Sequence, residues 1–378
     1  MKALVYHGPG ICALENMPKP SIQQPGDAIV RITKTTICAT DLHIVKGEVP
    51  SVAEGRILGH EGVGVVEQVG TGVSNFKVGE HVLISCITSC GKCHFCKQGL
   101  YSHCENGGWI LGNLIDGTNA EYVRIPFADN SLYPLPSGAD DEMFVMLSDV
   151  MPTGLECGVL NGQVQPGDTV AIIGAGPVGL AALLTAQFYA PAAVIVVDND
   201  DNRLKLAKVL GAALVFNNDL GNATEKIMTL THNRGADVAI EATGQPAGFD
   251  ICQAIVSVGG HIANIGAHGR PVRLNLDKLW SQNITLATGL VDTITIPTLL
   301  KMVMAGRLQP QQLISHHFMF DQIEEAYETF SGALENQALK VIITNGALLS
   351  PAIQIEEVDN LVEQQPLTPA VVNDSLGG

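Results

Sequence analysis

Four thiols stand close together at Cys90, Cys93, Cys96 and Cys104, in the pattern C-x2-C-x2-C-x7-C. Thiolates on a short folded-back loop can occupy all four tetrahedral corners of a zinc ion, leaving no position open for chemistry. Gly91 and Gly99 suit the turns such a loop needs, and Lys92 and Lys97 offset thiolate charge. Four reduced cysteines in an ordinary loop is the plainer alternative. A disulfide framework fits less well, because the chain otherwise reads as intracellular.

A second set lies N-terminal to this lobe. Cys38, Thr40, Asp41 and His43 fall within six residues, and Gly59-His60-Glu61 follows. A thiolate and an imidazole are good zinc ligands, and three protein ligands would leave a position for water or a substrate oxygen. A third motif is Gly174-Ala175-Gly176-Pro177-Val178-Gly179, between an apolar strand and an apolar helix. Its first two glycines allow a tight turn and close backbone approach to a pyrophosphate, and the third allows helix–strand packing. Free N–H groups and the helix dipole favour the negative charge there. Asp198 ends the next strand, where a carboxylate can accept hydrogen bonds from a ribose diol and repels a 2′-phosphate. That favours NAD, while Arg203 keeps NADP open. Asp198 as a plain helix N-terminal acid is the other reading.

The elements that must position these residues are legible in outline. Residues 28–36, 62–69 and 81–85 are strand-like and punctuated by Gly and Pro. The opening MKALVYHG also reads as a strand, and not as a targeting segment. From 169 to about 266 short apolar runs alternate with helical patterns. Strands are expected at 169–173, 193–197, 238–241 and 261–265, and helices at 178–189 and 202–210. That alternation implies βαβ units and a parallel sheet. A helix at 298–305, further strand-like pieces and the stretch 321–334 return to the first kind of region.

Composition limits the function classes. The 378 residues suffice for two domains, and 46% hydrophobic with 16% charged residues suits an α/β enzyme. A formal charge of −17 argues against nucleic acid and against an anionic membrane surface. No apolar run is long enough to span a bilayer. Nine cysteines fit a reducing cytoplasm. The final stretch, 346–378, carries Glu356, Glu357, Asp359, Glu363 and Asp374 and no basic residue. It reads as a solvated acidic tail, or as an arm toward a neighbouring subunit.

Over residues 1 to about 345 these motifs resemble the zinc-containing medium-chain alcohol dehydrogenases. Gly59-His60-Glu61-x-x-Gly64-x5-Gly70-x-x-Val73 is similar to that family's zinc signature. C-x-T-D-x-H at 38–43 is similar to its ligand and proton-relay segment, and the cysteine lobe and glycine turn fall at the family's places. The resemblance implies a β-rich, GroES-like catalytic domain, 1–152 completed by 290–345. A Rossmann doubly wound coenzyme domain would occupy 153–289, with the site in the cleft. It implies two zinc ions per chain, one in the lobe and one on Cys38, His60 and a third ligand just before the coenzyme domain. Asp149 fills that third position, as in a bacterial branch resembling secondary-alcohol dehydrogenases. Glu61 would swing onto the metal during exchange or serve as a nearby carboxylate. Asp41 would orient His60.

In the implied chemistry Thr40 takes the alcohol proton and passes it through the coenzyme ribose to His43, which meets solvent. His43 as a surface histidine is the alternative. Trp109 and Leu290 would line the pocket or serve packing. The remaining histidines read as structural or solvated, and Cys12, Cys86, Cys157 and Cys252 as buried small residues. The substrate would be an alcohol, aldehyde or ketone, and the assembly a tetramer. A polyol or amino-alcohol dehydrogenase, or a zinc-free dinucleotide-binding protein, are the rival readings.

Overall fold

The computed structural model describes residues 1–136, 138–219 and 221–346. The acidic stretch from residue 347 onward lies outside the described residues. The first region contributes β1 (Lys2–Tyr6), β2 (Cys12–Asn16), β3 (Ala28–Thr36), β4 (Arg56–Ile57), β5 (Gly62–Val69), β6 (His81–Ile84), β7 (Tyr122–Ile125) and β8 (Leu132–Pro134). The middle contributes β9 (Thr169–Ile173), β10 (Ala193–Asp198), β11 (Leu214–Asn217), β12 (Ala236–Glu241), β13 (Val256–Asn264) and β14 (Thr285–Thr288). The last pair is β15 (Ile314–Met319) and β16 (Lys340–Thr344).

These strands form three sheets. The small one has the order β2-β1-β4. A larger mixed sheet runs β15-β16-β3-β5-β6-β8, with β7 also on β3. β16 pairs antiparallel with β3, Ile342 opposite Thr36, so the C-terminal segment completes a sheet begun by the N-terminal region. The third sheet runs β11-β10-β9-β12-β13-β14 with parallel pairings throughout. This 3-2-1-4-5-6 order is that of a Rossmann sheet, whose strand order reverses between β9 and β12. Together with the β-rich region it makes a two-domain α/β architecture.

Burial explains the strand types. In β9 Val170, Ala171 and Ile172 are fully buried, as expected for a parallel strand covered on both faces. β15 alternates half-buried and exposed positions, as an edge strand does. One apolar cluster runs from Val63 and Leu83 through Met146, Leu147 and Met151 to Val170, Ile172 and Leu180. The segment between the two sheets is therefore part of the core.

The expected elements are present with shifted ends. The helix expected at 178–189 is α-helical over Pro177–Ala186 and closes as a tighter 3₁₀ turn over Gln187–Tyr189. The helix near 298–305 starts earlier, at Ile296–Met304 with Pro297 in its first turn, where a missing N–H costs nothing. The stretch 321–334 holds a shorter helix, Ile323–Ser331, ended at Gly332. No helix among the described residues is long and apolar enough to cross a membrane.

Candidate functional site

Cys38 stands at the N-cap of the helix Ala39–Val45. Its N–H donates to Asp41 Oδ2 at 2.9 Å. The other Asp41 oxygen lies 3.5 Å from His60 Nδ1, so one fully buried carboxylate touches both candidate ligands. That separation is longer than an ordinary hydrogen bond, and both atoms lack another partner. His60 reaches the site because Gly59 before it adopts φ +91°; a Cβ there would meet Asn119 at 2.6 Å. Trp109 packs edge-on against the His60 ring, with centroids 6.3 Å apart.

Asp149 arrives from the other side, just before the helix Val150–Thr153. Its Oδ2 lies 3.2 Å from His60 Nε2 and 3.5 Å from Cys38 Sγ. Cys38, His60, Glu61 and Asp149 each bring one ligand atom within 4.8 Å of the others. The set offers sulfur, nitrogen and carboxylate oxygen, all ordinary zinc donors. Glu61 Oε2 is buried with no partner, which fits a group facing a cation. These residues therefore fit a zinc ion. Thr40 Oγ1 stands 3.6 Å from Cys38 Sγ. His43, farther out on the helix, pairs with exposed Glu48, whose carboxyl this imidazole holds below its usual range.

Burial would raise Asp149, but the hydrogen bond and charge of His60, with the Thr153 hydroxyl, hold it well below the usual carboxylate range. Burial would also lower His60, and Asp41 and Asp149 outweigh it, raising the imidazole. Glu61 is raised by burial, with Lys340 opposing.

Lys340 is the functional neighbour that sequence reasoning missed. It is 2% exposed, and its Nζ lies 2.7 Å from Glu61 Oε1 and 3.1 Å from the carbonyl of Ile37. A lysine at the start of an apolar strand reads as solvated; only the pairing of β16 beside β3 buries it. Glu156 was also unforeseen. Within the π-helix Gly154–Leu160 it accepts from the N–H groups of Asp292, Thr293 and Thr295 and from the Thr295 hydroxyl. Leu290, just before that segment, is 47% exposed, whereas Trp109 is packed.

The four lobe cysteines bring their sulfurs within 4.8 Å of one another, and all nine cysteines of the chain are free thiols. Cys104 Sγ accepts the Cys90 N–H at 3.3 Å, and Cys90 Sγ accepts from Asn106 Nδ2 at 3.6 Å. Donors aimed at sulfur fit thiolate ligands. Burial works against ionising Cys90, yet the N–H groups of Lys92 and Cys93 pull it down to about 6. Burial pushes Cys96 up to about 12. Of the remaining thiols, Cys86, Cys157 and Cys252 are buried as expected, and Cys12 is only half-buried.

In the parallel sheet the glycine turn follows β9. Gly174 has φ +109°, and a Cβ on Gly179 would stand 1.9 Å from the Gly174 carbonyl oxygen. A Cβ on Gly176 would meet nothing, which leaves space for a ligand at the start of the helix Pro177–Ala186. Pro177 takes its first position, and Val178 packs against the core. Asp198 Oδ2 accepts the Ala175 N–H at 2.6 Å, and Oδ1 accepts from Asn199 and Asp200. The cap of the following helix, Asp201–Val209, is Asp200 and not Asp198. Arg203 donates its backbone N–H to Asp200 and is partly buried. The turn and the carboxylate beside it fit a dinucleotide.

Among the histidines outside the motifs, His81 is half-buried against Asp141 at 2.7 Å, whereas His94, His103, His232 and His317 are exposed. His268 lies 3.1 Å from the fully buried Glu241 at the end of β12.

Comparison with known proteins agrees with this geometry. The profile of the alcohol dehydrogenase GroES-like domain matches residues 24–137, and that of the zinc-binding dehydrogenases matches 177–304. An alcohol dehydrogenase of Cupriavidus necator is 35% identical over 363 residues, covering 91% of this chain and 98% of the relative. A sorbitol dehydrogenase of Bacillus subtilis is 29% identical, covering 91% and 97%. The solved apo structure of a zinc-dependent alcohol dehydrogenase 2 from Streptococcus pneumonia is 56% identical with a TM-score of 0.88, covering 93% of this chain and all of that one. Likeness of that extent, on top of two clustered metal-ligand sets and a Rossmann glycine turn, places the chain in the zinc-type medium-chain alcohol dehydrogenase family, as an oxidoreductase.

Proposed function

We propose that the protein oxidises primary or secondary alcohols to aldehydes or ketones, reversibly and with NAD. In this reading one zinc is held by Cys38, His60 and Asp149, and a second is closed by Cys90, Cys93, Cys96 and Cys104. The convergence of Cys38, His60, Glu61 and Asp149 within 4.8 Å is the observation that carries it. When bound, zinc would supply a Lewis acid that acidifies an alcohol hydroxyl, and the nicotinamide coenzyme would supply the hydride acceptor.

The protein's own residues then position groups and move a proton. Thr40, beside Cys38, accepts the proton of the alcohol as its own hydroxyl proton passes on toward His43. His43, held by Glu48 at the solvent side, releases it to water. Asp41 orients the His60 ring through Nδ1. Glu61, braced on Lys340, is a reserve carboxylate at the edge of the ligand set. Gly174, Gly176, Pro177, Val178 and Gly179 form the pyrophosphate turn. Asp198, already anchored to that turn, presents negative charge where a 2′-phosphate would otherwise sit, which favours NAD over NADP; Arg203 is the nearby cation that would argue the other way.

The catalytic region is assigned to 1–152 with 290–345 and the coenzyme region to 153–289. The pairing of β16 with β3 and the confinement of β9–β14 to the middle support these limits. A tetramer in the cytoplasm completes the reading. Nine free thiols suit a reducing compartment. Leu286 on the edge strand β14 is 37% exposed and Trp280 is 77% exposed, apolar surface of the kind a second copy could cover.

The test is the absorbance of reduced coenzyme with NAD or NADP across ethanol, 2-propanol, sorbitol and threonine. The account expects turnover of the simple alcohols with NAD. Preference for sorbitol or threonine would favour the polyol or amino-alcohol reading, which the sorbitol dehydrogenase relative supports. Absence of turnover, with zinc in the lobe alone, would return a binding protein.

A further inference from the structure

An aspartate just before a helix ordinarily turns its carboxylate onto the N–H groups of the second or third helical residue. Asp149 does not. It makes no such bond, and its backbone sits at φ −144°, ψ −64°. Neither donor is available to it. The second helical residue, Met151, gives its N–H to the Met146 carbonyl at 3.2 Å, and the third is Pro152, which has none. The carboxylate is instead engaged by Thr153, four residues on. The Thr153 hydroxyl donates to Asp149 Oδ1 at 2.8 Å, and its backbone N–H donates to the Asp149 carbonyl at 2.9 Å. With Oδ1 occupied, Oδ2 faces inward, 3.2 Å from His60 Nε2 and 3.5 Å from Cys38 Sγ.

We infer that Thr153 is a positioning residue for the metal set: its hydroxyl holds the Asp149 carboxylate in the orientation that aims a single oxygen at the site. The inference rests on the reading that Cys38, His60 and Asp149 hold zinc, a set these donors fit. A carboxylate has two equivalent oxygens and a soft terminal torsion, so its aim needs an external restraint. A hydroxyl on one oxygen supplies it and discourages two-oxygen engagement of a single ion. Asp149 and Thr153 are four residues apart, the spacing at which side chains on successive turns of a helix meet.

The test compares Thr153→Val, Thr153→Ser and Asp149→Ala in the full-length, zinc-loaded chain. Zinc per chain is measured against graded chelator, and the visible absorption of the cobalt(II)-substituted protein reports the ligand geometry. Loss of a group that orients a metal ligand lowers metal affinity about 10- to 100-fold, so Thr153→Val should release one of two zinc ions at about 10-fold less chelator or lower. Its cobalt spectrum should shift, Thr153→Ser should restore both readouts, and the lobe zinc should be retained throughout. If the valine also loosens the lobe zinc, Thr153→Ala removes the hydroxyl without the added bulk and is read in its place. Wild-type zinc affinity and cobalt spectrum in the hydroxyl-free variant, alongside loss of the site in Asp149→Ala, would overturn the role of Thr153 alone. Retention of that zinc in Asp149→Ala would overturn the ligand reading itself.

Discussion

Asp198 and Asp200 stand two positions apart and hold different structures: Asp200 caps a helix, while Asp198 accepts the N–H of Ala175 inside the glycine turn. Asp198→Gly should therefore raise the Michaelis constant for NAD and relax discrimination against NADP. A hydrogen bond to a charged group is worth about 1.5–3 kcal/mol, or roughly 10- to 150-fold. Steady-state kinetics with both coenzymes checks this, and unchanged preference would contradict it. His43→Gln should keep zinc content and NAD affinity while slowing alcohol oxidation near neutral pH by about 100-fold or less, since water can bypass an exposed relay end. The deficit should shrink at alkaline pH, where hydroxide takes the proton; a loss constant with pH, or lost zinc, would remove His43 from the relay. Both candidates were readable from sequence because they belong to short local patterns. Lys340 was not, since what buries it beside Glu61 comes from a strand far away in the chain. Thr153 was not either, because its role depends on which oxygen of Asp149 it occupies.

At the scale of elements the glycine turn separates folding from binding. A Cβ on Gly179 would collide with the Gly174 carbonyl oxygen at 1.9 Å, whereas one on Gly176 meets no protein atom. Gly179→Ala should lower the melting temperature, because backbone on both sides of the turn must shift. Gly176→Ala should leave the melting temperature of the coenzyme-free protein unchanged and weaken NAD binding, as measured by calorimetry. An equal loss of stability in both variants would contradict the division. The βαβ alternation was legible from apolar runs alone, because parallel strands buried on both faces leave continuous hydrophobic stretches. The π-helix Gly154–Leu160 was not. Nothing in GLECGVL announces its wider turn, and its Glu156 finds donors only in the distant segment 292–295.

For the whole molecule, the return of the chain to its first sheet was expected from the change of pattern near residue 290. The register that does it, Ile342 opposite Thr36, was not readable, because an apolar strand pairs with any neighbour that buries it. The same closure carries Lys340 under the metal set, so fold completion and site assembly are linked. The central claim is that this assembly holds two zinc ions of different lability, one enclosed by four sulfurs and one with an exchangeable position. It is tested by counting zinc per chain during titration with chelator while following circular dichroism and NAD-linked alcohol oxidation. The account predicts two zinc ions at the start, loss of activity with departure of the first while the fold persists, and recovery when zinc is returned. Full activity with one zinc remaining, or joint loss of both ions with the fold, would contradict it.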